Sequence, residues 1–285
     1  MNLLSSTYVF SFFTLLSRIL GYLRDILIAI FLGASIFADA FFVAFRLPNT
    51  FRRLFAEGTF NAAFIPSYVS EKTQNQKKGK KFADEVLSIL VLILFFIVLL
   101  AEIFTPYLVY LIAPGFSEDS EKFNLAVQFT RITFPFLLFV SISSFFSGIL
   151  NSNNRFAAAA AAPIILNIIL ILSLLISYFF NLDFAKQLSY GVSLAGIIQL
   201  FFLMFFTKKY YKPSIEFKTR LSNKVKLFFK KLLPSVLSSG VTQINILVGT
   251  IIASFEASAV SYLYYADRIY QINLAIAGIA VGTVS

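Results

Sequence analysis

The stretch "SRILGYLRDILIAIFLG", residues 17–33, has the length and apolar content of a membrane-spanning helix, yet it contains Arg18, Arg24 and Asp25. A span needs about 20 mostly apolar helical residues, and its backbone polar groups must be satisfied internally, which leaves helices or a closed barrel. The apolar blocks of this chain are longer and more uniform than the alternating strands of about 10 residues in a barrel. We therefore predict an all-α, polytopic membrane protein.

The apolar blocks of the 285-residue chain, which is 58% hydrophobic, predict about eight spans. These spans cover residues 5–32, 36–68, 85–112, 127–150, 157–180, 187–206, 232–255 and 258–285. We divide the chain into an N-terminal six-helix transmembrane lobe (1–206), a basic cytoplasmic loop (207–231) and the start of a second transmembrane lobe (232–285). The last span ends without a flanking charge, so we expect a fragment of a longer protein.

Lysine and arginine are concentrated in alternate loops of this topology. If the N-terminus is cytoplasmic, the outside loops contain only Lys122 and Lys186. The other basic loop residues then lie inside: Lys72, Lys77, Lys78, Lys80, Lys81, Arg155 and those from Lys208 to Lys231. This asymmetry obeys the positive-inside rule and predicts a cytoplasmic N-terminus. We attribute the net charge of +10 to topology and to contact with membrane lipids, and we expect no nucleic-acid partner.

Composition also excludes several kinds of chemistry. Cysteine and histidine are absent, which excludes thiolate nucleophiles, imidazole bases and the commonest zinc sites. The carboxylates are scattered, and there is no glycine-rich phosphate loop with its lysine. We predict a protein that is not an enzyme and holds no cofactor or metal.

The charges of the first span follow a helical stripe. Thr14, Ser17, Arg18, Gly21, Arg24, Asp25 and Ile28 fall on one side of an ideal helix. A charge at bilayer depth costs from about 3 to more than 10 kcal/mol, so such residues usually face a bundle interior. One alternative is an internal cluster that ties helices together. However, two arginines and one carboxylate leave positive charge for an anion, and Gly21 leaves room for a ligand or a helix bend.

The second span, "DAFFVAFRLPNTFRRLFAEGTFNAAFIPSY" (39–68), repeats this pattern. Asp39, Arg46, Arg53 and Glu57 share a face of an ideal helix, whereas Arg52 points elsewhere. Pro48 removes a backbone donor and kinks the helix, so either Arg52 or Arg53 could reach a cavity. Arg53 and Glu57 could equally form a local pair. Pro48 and Gly58 are candidate hinges, although Gly58 could instead be a packing notch.

The eighth span contains "YYADRIYQ", in which Asp267 precedes Arg268. Local neutralisation of Arg268 by Asp267 is one interpretation, and a cavity arginine is the other. Asn167, in the middle of the fifth span, is interpreted as an interhelical hydrogen-bonding residue. Residues 224–231, "KVKLFFKK", could form an amphipathic helix on the cytoplasmic leaflet.

These charges predict a cationic pocket between the first, second and eighth spans. Arginine binds phosphate oxygens with two parallel hydrogen bonds and stays protonated when buried. A soluble anion would fit this pocket, and so would a lipid phosphate or diphosphate whose tail stays in the bilayer.

The segments "SRILGYLRD", "DAFFVAFRLPNTFRRLFAEGTFNAAFIPSY" and "YYADRIYQ" resemble the MurJ (MviN) family of bacterial lipid II flippases, in the MOP exporter superfamily. The resemblance implies a MOP-type helical bundle in the bacterial cytoplasmic (inner) membrane. It also implies alternating-access transport of lipid II, the undecaprenyl-diphosphate-linked peptidoglycan precursor, from the cytoplasmic to the periplasmic leaflet. A MOP exporter of another polyprenyl-linked oligosaccharide or of small molecules is the alternative. Cell-wall synthesis and division proteins are candidate partners.

The resemblance also implies a set of substrate-binding residues. The cavity arginines correspond to Arg18, Arg24, Arg52 and Arg268, the acidic positions to Asp25, Asp39 and Glu57, and Ser17 and Asn49 lie in matching segments. The family pattern favours Arg52 over the Arg53 that the ideal helix favours, and the kink at Pro48 makes the family pattern the better guide. Either the membrane potential or a coupling ion could reset the carrier.

Overall fold

The computed structural model of the protein describes residues 3–56, 59–215 and 221–284, and all regular structure in these ranges is helical. The α-helices are α1 (Leu3–Leu32), α2 (Ile36–Ala56), α3 (Thr59–Gln74), α4 (Gln76–Ile103), α5 (Thr105–Ile112), α6 (Ser120–Thr133), α7 (Phe136–Ser152), α8 (Phe156–Phe180), α9 (Phe184–Thr207), α10 (Asn223–Ala253) and α11 (Ala259–Val284). A short 3₁₀ helix, Pro114–Glu118, connects α5 to α6.

Four segments among the described residues are long and apolar enough to cross a membrane. They are α4, the segment Ser120–Ser152 that contains α6 and α7, α8 and α9, and each overlaps a predicted span. The other four predicted spans are also helical, but α2 carries Asp39, Arg46, Arg52 and Arg53 within 21 residues, which lowers its hydropathy. Among the described residues, hydropathy therefore fails to identify as membrane spans helices such as α2, which carry charges within their apolar sequence.

Proline accounts for two departures from the predicted spans. The span predicted at 85–112 is broken at Phe104, where α4 ends and α5 begins with Pro106 in its first turn. A second break separates α6 from α7 at Pro135. Proline lacks the N–H donor that a continuous helix needs and favours a helix start. The span predicted at 36–68 corresponds to α2 and α3, and residues 57 and 58 between them lie outside the described ranges.

The helices run alternately between two ends of the bundle. We call one the Gly33 end, where α1 meets α2, α8 meets α9 and α10 meets α11. The opposite end, the Asn75 end, contains the connections α3–α4, α7–α8 and α9–α10. Gly33 itself adopts a positive φ of 59°, a conformation that glycine reaches without steric cost, and this lets the chain reverse between α1 and α2.

The buried apolar residues form two clusters. The first lies toward the Gly33 end and contains the α2 stretch Phe41–Phe45, packed against α6, α8 and α9. The second lies toward the Asn75 end and is rich in aromatic rings from α3, α4, α7 and α10. The charged residues of α1 and α11 lie at the margin of these clusters, where the two helices face each other.

Part of the predicted loop 207–231 is helical, because α10 begins at Asn223. Ser222 caps this helix by accepting a hydrogen bond from the Val225 N–H. Val225, Phe228 and Leu232 are then buried against the aromatic cluster. The amphipathic helix expected at 224–231 exists, but its apolar face packs on protein rather than on the lipid leaflet.

Candidate anion-binding site

Arg24 is the best-connected charge of α1. Its Nε and Nη2 atoms donate to Asp25 Oδ1 at 2.9 and 2.6 Å, and both side chains are buried. Its Nη1 donates to Asn167 Oδ1 on α8 at 2.9 Å. Asn167 in turn donates to the carbonyl oxygen of Ser17 at 2.9 Å. Asn167 therefore contacts α1 at two points of the stripe, Ser17 and Arg24, which confirms its interpretation as an interhelical hydrogen-bonding residue.

Arg268 brings α11 to the same carboxylate. Its Nε lies 3.1 Å from Asp25 Oδ2, and its Nη2 donates to the Tyr264 hydroxyl at 3.1 Å. The Tyr264 hydroxyl donates to Asp25 Oδ1 at 3.0 Å. Asp267 accepts instead from Gln271, which itself accepts from Arg268 Nη1. The ion-pair partner of Arg268 is thus Asp25 on α1, across the helix interface, and not its neighbour in sequence.

The charge of this cluster does not balance. Two guanidinium groups, from Arg24 and Arg268, share the single carboxylate of Asp25. The Arg268 side chain is 20% exposed, whereas those of Arg24 and Asp25 are 9% and 8% exposed. The expected internal Arg–Asp tie therefore exists, and it leaves Arg268 with an accessible edge. Asp267 contacts Arg268 only through Gln271, so neither guanidinium is bonded directly to it. Low-dielectric surroundings strengthen the attraction of the Arg268 charge for an anion.

The α2 arginines add to this positive charge. The Nε of Arg46 is buried and donates no hydrogen bond within the described ranges. Arg52 and Arg53 are half-buried, and Arg52 Nε donates to Asn49 Oδ1 at 3.0 Å. Asn49 therefore orients Arg52, the arginine that the family pattern favours. Glu57, the expected partner of Arg53, lies outside the described residues, as does the candidate hinge Gly58.

Arg18, Ser17 and Gly21 lie on α1 on the Asn75 side of Arg24. Arg18 is exposed and forms no hydrogen bond or ion pair with the residues that the structure describes. Gly21 faces Asn167, whose side-chain nitrogen would lie 3.5 Å from a Cβ atom added there. This is an ordinary packing distance, so a methyl group would fit and the contact with α8 does not require glycine at residue 21. Pro48, the other candidate hinge, is buried within α2, and the helix continues to Ala56.

Asp39 has different partners from the other predicted site residues. It is fully buried, and its Oδ2 atom lies 2.6 Å from Lys122 Nζ on α6. Its Oδ1 atom accepts hydrogen bonds from the backbone N–H and the hydroxyl of Ser261 on α11. The structure thus places Asp39 at the junction of α2, α6 and α11 near the Gly33 end, apart from the Arg24–Asp25–Arg268 cluster.

Sequence reasoning missed three residues of these networks: Tyr264, Ser261 and Lys122. Tyr264 could have been found from its position four residues before Arg268, which places both on one helix face. Lys122 was assigned to an outside loop, because a single lysine near acidic residues gives no indication of burial. Within the described ranges, no group of three or more carboxylates could hold a metal ion.

Comparison with known proteins gives consistent matches. Residues 28–285 match the family described as lipid II flippase MurJ. The probable lipid II flippase MurJ of Rhizobium tropici is 42% identical over 277 residues, which are 95% of this chain and 52% of that protein. The corresponding protein of Rickettsia prowazekii (strain Madrid E) is 40% identical over 288 residues, covering 100% of this chain and 56% of that protein. The chain therefore spans about half the length of the curated relatives it matches.

Two solved structures share the fold. A lipid II flippase MurJ in an inward closed conformation superposes with a TM-score of 0.79 at 30% identity, covering 93% of this chain and 55% of the other. A MOP superfamily transporter from Pyrococcus furiosus superposes with a TM-score of 0.67 at 16% identity, covering 93% and 60%. At that identity the second match concerns the fold alone. The predicted fold, a MOP-type helical membrane bundle, is confirmed.

Proposed function

Because this chain belongs to the lipid II flippase MurJ family, we propose that it forms the substrate-holding half of a flippase for undecaprenyl-diphosphate-linked peptidoglycan precursor. The observation that carries the proposal is the unbalanced charge of the Arg24–Asp25–Arg268 cluster. A diphosphate offers several oxygens to arginine forks, and its lipid tail can remain in the bilayer. The protein acts as a carrier and not as a catalyst, and lipid II and the surrounding membrane lipids are its ligands.

The substrate site consists of the arginines and their supports. Arg24 and Arg268 bind the diphosphate directly, and Arg52, oriented by Asn49, approaches it from α2. Arg18 and Ser17 lie along the path toward the Asn75 end, where the exposed guanidinium of Arg18 meets the headgroup first. Asp25 keeps the two arginines apart and correctly aimed while the site is empty, through contacts to both. Glu57 also belongs to the proposed site, as the third acidic residue predicted from the sequence, with Asp25 and Asp39.

In the proposed membrane topology, the Asn75 end lies on the cytoplasmic side. The positive-inside rule supports this, since the connections at that end carry the lysine-rich segments and those at the Gly33 end do not. At the Gly33 end, α10 and α11 are bonded to the rest of the bundle through Ser254, Ser258, Ser261 and Tyr265. The closed side is then periplasmic, so lipid II enters from the cytoplasmic leaflet. Closure at one end is the condition for alternating access.

The empty carrier returns with only part of its arginine charge compensated, by Asp25. Moving one elementary charge across the membrane is worth about 2.3 kcal/mol per 100 mV, so the membrane potential can drive this return step. An ion bound at the carboxylates would reduce the charge that is moved.

The test is complementation in cells depleted of their own lipid II flippase, using the protein as its gene encodes it. Wild type is expected to restore cell shape and lipid II on the periplasmic leaflet. Arg24→Ala and Arg268→Ala are expected to fail at normal membrane levels. Arg131→Ala, which removes an exposed arginine of α6, is the matched control and is expected to complement. Equal complementation by all variants would overturn the role of the cluster, and failure of wild type at normal levels would favour another polyprenyl-linked substrate.

A further inference from the structure

A buried carboxylate, that of Asp39, lies at the Gly33 end where α11 meets α2 and α6. The Asp39 side chain is 0% exposed, and the Lys122 side chain that pairs with it is 8% exposed. The Lys122 ammonium also lies 4.2 Å from the centroid of the Phe116 ring, which covers it. These three groups belong to α2, α6 and the 3₁₀ helix, so Asp39 and Lys122 both lie within residues 1–206, the range assigned to the first lobe.

The remaining bonds of Asp39 go to the first turn of α11. Helix α11 begins at Ala259, and the Ser261 N–H is one of the donors that an α-helix leaves without an internal partner. This N–H donates to Asp39 Oδ1 at 2.8 Å, and the Ser261 hydroxyl donates to the same atom. Ser258, the residue that would ordinarily cap the helix, instead donates its hydroxyl to the carbonyl of Ala34. Asp39 therefore caps α11 from another helix, in a place where its charge also complements the helix dipole.

We propose that Lys122 is a positioning residue for transport: it neutralises and aims Asp39, so that Asp39 caps α11 and holds the Gly33 end closed. The role in transport rests on the proposed flippase function, whereas the role in closing the Gly33 end does not. When the Gly33 end opens, α11 takes the Ser261 donors away, while the Asp39–Lys122 pair stays together on the first lobe. The carboxylate is then never buried without a positive partner, a state that is strongly unfavourable.

Exchanging the charges at residues 39 and 122 distinguishes a simple buried ion pair from a helix cap. In the exchanged double variant Asp39→Lys/Lys122→Asp, the ion pair is retained with its direction reversed. However, lysine has no acceptor for the Ser261 N–H, and a positive charge at a helix N-terminus is unfavourable. The exchange therefore restores closure if Lys122 is merely half of an ion pair, and fails to restore it if Lys122 serves the cap.

The experiment measures accessibility of the Gly33 end rather than transport. This sequence contains no cysteine, so a single Val260→Cys reporter, at a position that is fully buried beside the closure, can be labelled with a membrane-impermeant maleimide. We expect Lys122→Met to raise the labelling rate about tenfold or more, because it leaves Asp39 buried and unpaired. Lys122→Arg keeps the charge and is expected to label slowly, as wild type does. The matched control is Lys186→Met, a half-buried lysine in the first turn of α9 at the same end.

Each outcome decides the proposal. Fast labelling in Lys122→Met and in the exchanged double variant, with slow labelling in Lys122→Arg and Lys186→Met, supports it. Wild-type labelling of Lys122→Met would overturn it, and so would slow labelling of the exchanged variant. A loss of the folded protein in Lys122→Met, seen in its size-exclusion profile, leaves the comparison of Lys122→Arg with the exchanged variant to decide. Failure of lipid II transport in wild type would leave these labelling rates unchanged, so the two proposals can fail separately.

Discussion

Two junctions attach α10 and α11 to the rest of the bundle, and they are built from different chemistry. At the Gly33 end hydrogen bonds accompany a ring contact: Tyr265 donates to the Gly33 carbonyl at 2.8 Å, and the Gly115 N–H donates to the Ser254 hydroxyl at 3.0 Å. The ring of Tyr264 stacks on that of Phe42. At the Asn75 end the start of α10 packs through rings, with Phe228 in edge-to-face contact with Phe60 and Phe82. The first junction combines hydrogen bonds with ring contacts, whereas the start of α10 is attached at the second through the buried ring of Phe228.

This difference matters because the two kinds of contact respond differently to separation. Hydrogen bonds lost on opening can be replaced by bonds to water, so their net contribution is only about 0.5–1.5 kcal/mol each. A buried ring gains no compensating bond to water, so its exposure costs the full free energy of transfer to water and of the cavity that it leaves. We infer that the Gly33 junction opens during transport while the Asn75 junction stays assembled. The first turns of α10 then move with α3 and α4.

The largest effect is expected from Phe228→Ala, which should break the Asn75 junction. Phe228 is 1% exposed, and its truncation should lower the free energy of unfolding by about 3–5 kcal/mol. Thermal unfolding in detergent measures this. Leu227→Ala, at the adjacent position that is 48% exposed, is the control and should change little. Similar losses in both variants would mean that the start of α10 has no preferred buried face.

Gly115→Ala should force the Gly33 junction apart without unfolding the protein. A Cβ atom at residue 115 would lie 2.4 Å from the carbonyl oxygen of Ser254, closer than real Cβ contacts allow, so the connection between α10 and α11 must move away. We expect faster labelling of the Val260→Cys reporter, with a melting temperature close to that of wild type. Gly240→Ala, where nothing lies within 4 Å of the added atom, is the matched control. Slow labelling of Gly115→Ala would show that this junction does not need the close approach.

Tyr265→Phe should weaken the Gly33 junction by a single hydrogen bond. We expect a shift of about 1 kcal/mol toward the open form, which corresponds to about a fivefold increase in labelling of the same reporter. Tyr262→Phe, on the exposed side of the same helix, is the control. An unchanged rate in Tyr265→Phe would argue that Asp39 alone controls closure.

The smallest effect is expected in the connection between α9 and α10, which contains Tyr211. Tyr211 donates to Asp84 Oδ1 at 2.6 Å, and burial together with this bond raises the pKa of Tyr211 above its ordinary value of about 10. Because the folded state resists ionisation, Tyr211 stabilises it below pH 10, and the benefit declines as the pH rises above that value. Tyr211→Phe should therefore cost about 1 kcal/mol at pH 7 and less at pH 10.5. A stability difference that grows with pH would contradict this assignment.

The helices and the charged cluster could be predicted from the sequence, because the bilayer constrains both the length of apolar blocks and the placement of charges. Long apolar blocks determine where spans lie, and charges inside them attract attention because the bilayer penalises them. Arg24, Asp25 and Arg268 were identified in this way, and Asn167 was correctly interpreted as an interhelical contact. The breaks at Phe104 and Pro135 were missed, since a predicted span can contain a helix break without any loss of hydropathy.

The pairings across helices could not be predicted from local patterns. Asp39 and Ser261 are 222 positions apart in the chain, and Tyr264 and Asp25 are 239 positions apart. Periodicity relates residues within one helix and gives no information on which helix lies opposite. Local pairing rules therefore offered Asp267 as one candidate partner of Arg268, and they gave Lys122 and Ser261 no role.

The central claim is that the Arg24–Asp25–Arg268 cluster holds a diphosphate. Binding of lipid II to the purified protein, compared between wild type, Arg268→Ala and the Arg131→Ala control, tests it most directly. A charge-assisted hydrogen bond is worth about 1.5–3 kcal/mol, so we predict at least a tenfold loss of affinity in Arg268→Ala and none in the control. Undecaprenyl diphosphate should compete with lipid II, and undecaprenol, which lacks phosphate, should not. Equal affinity of Arg268→Ala and wild type for lipid II would contradict the account.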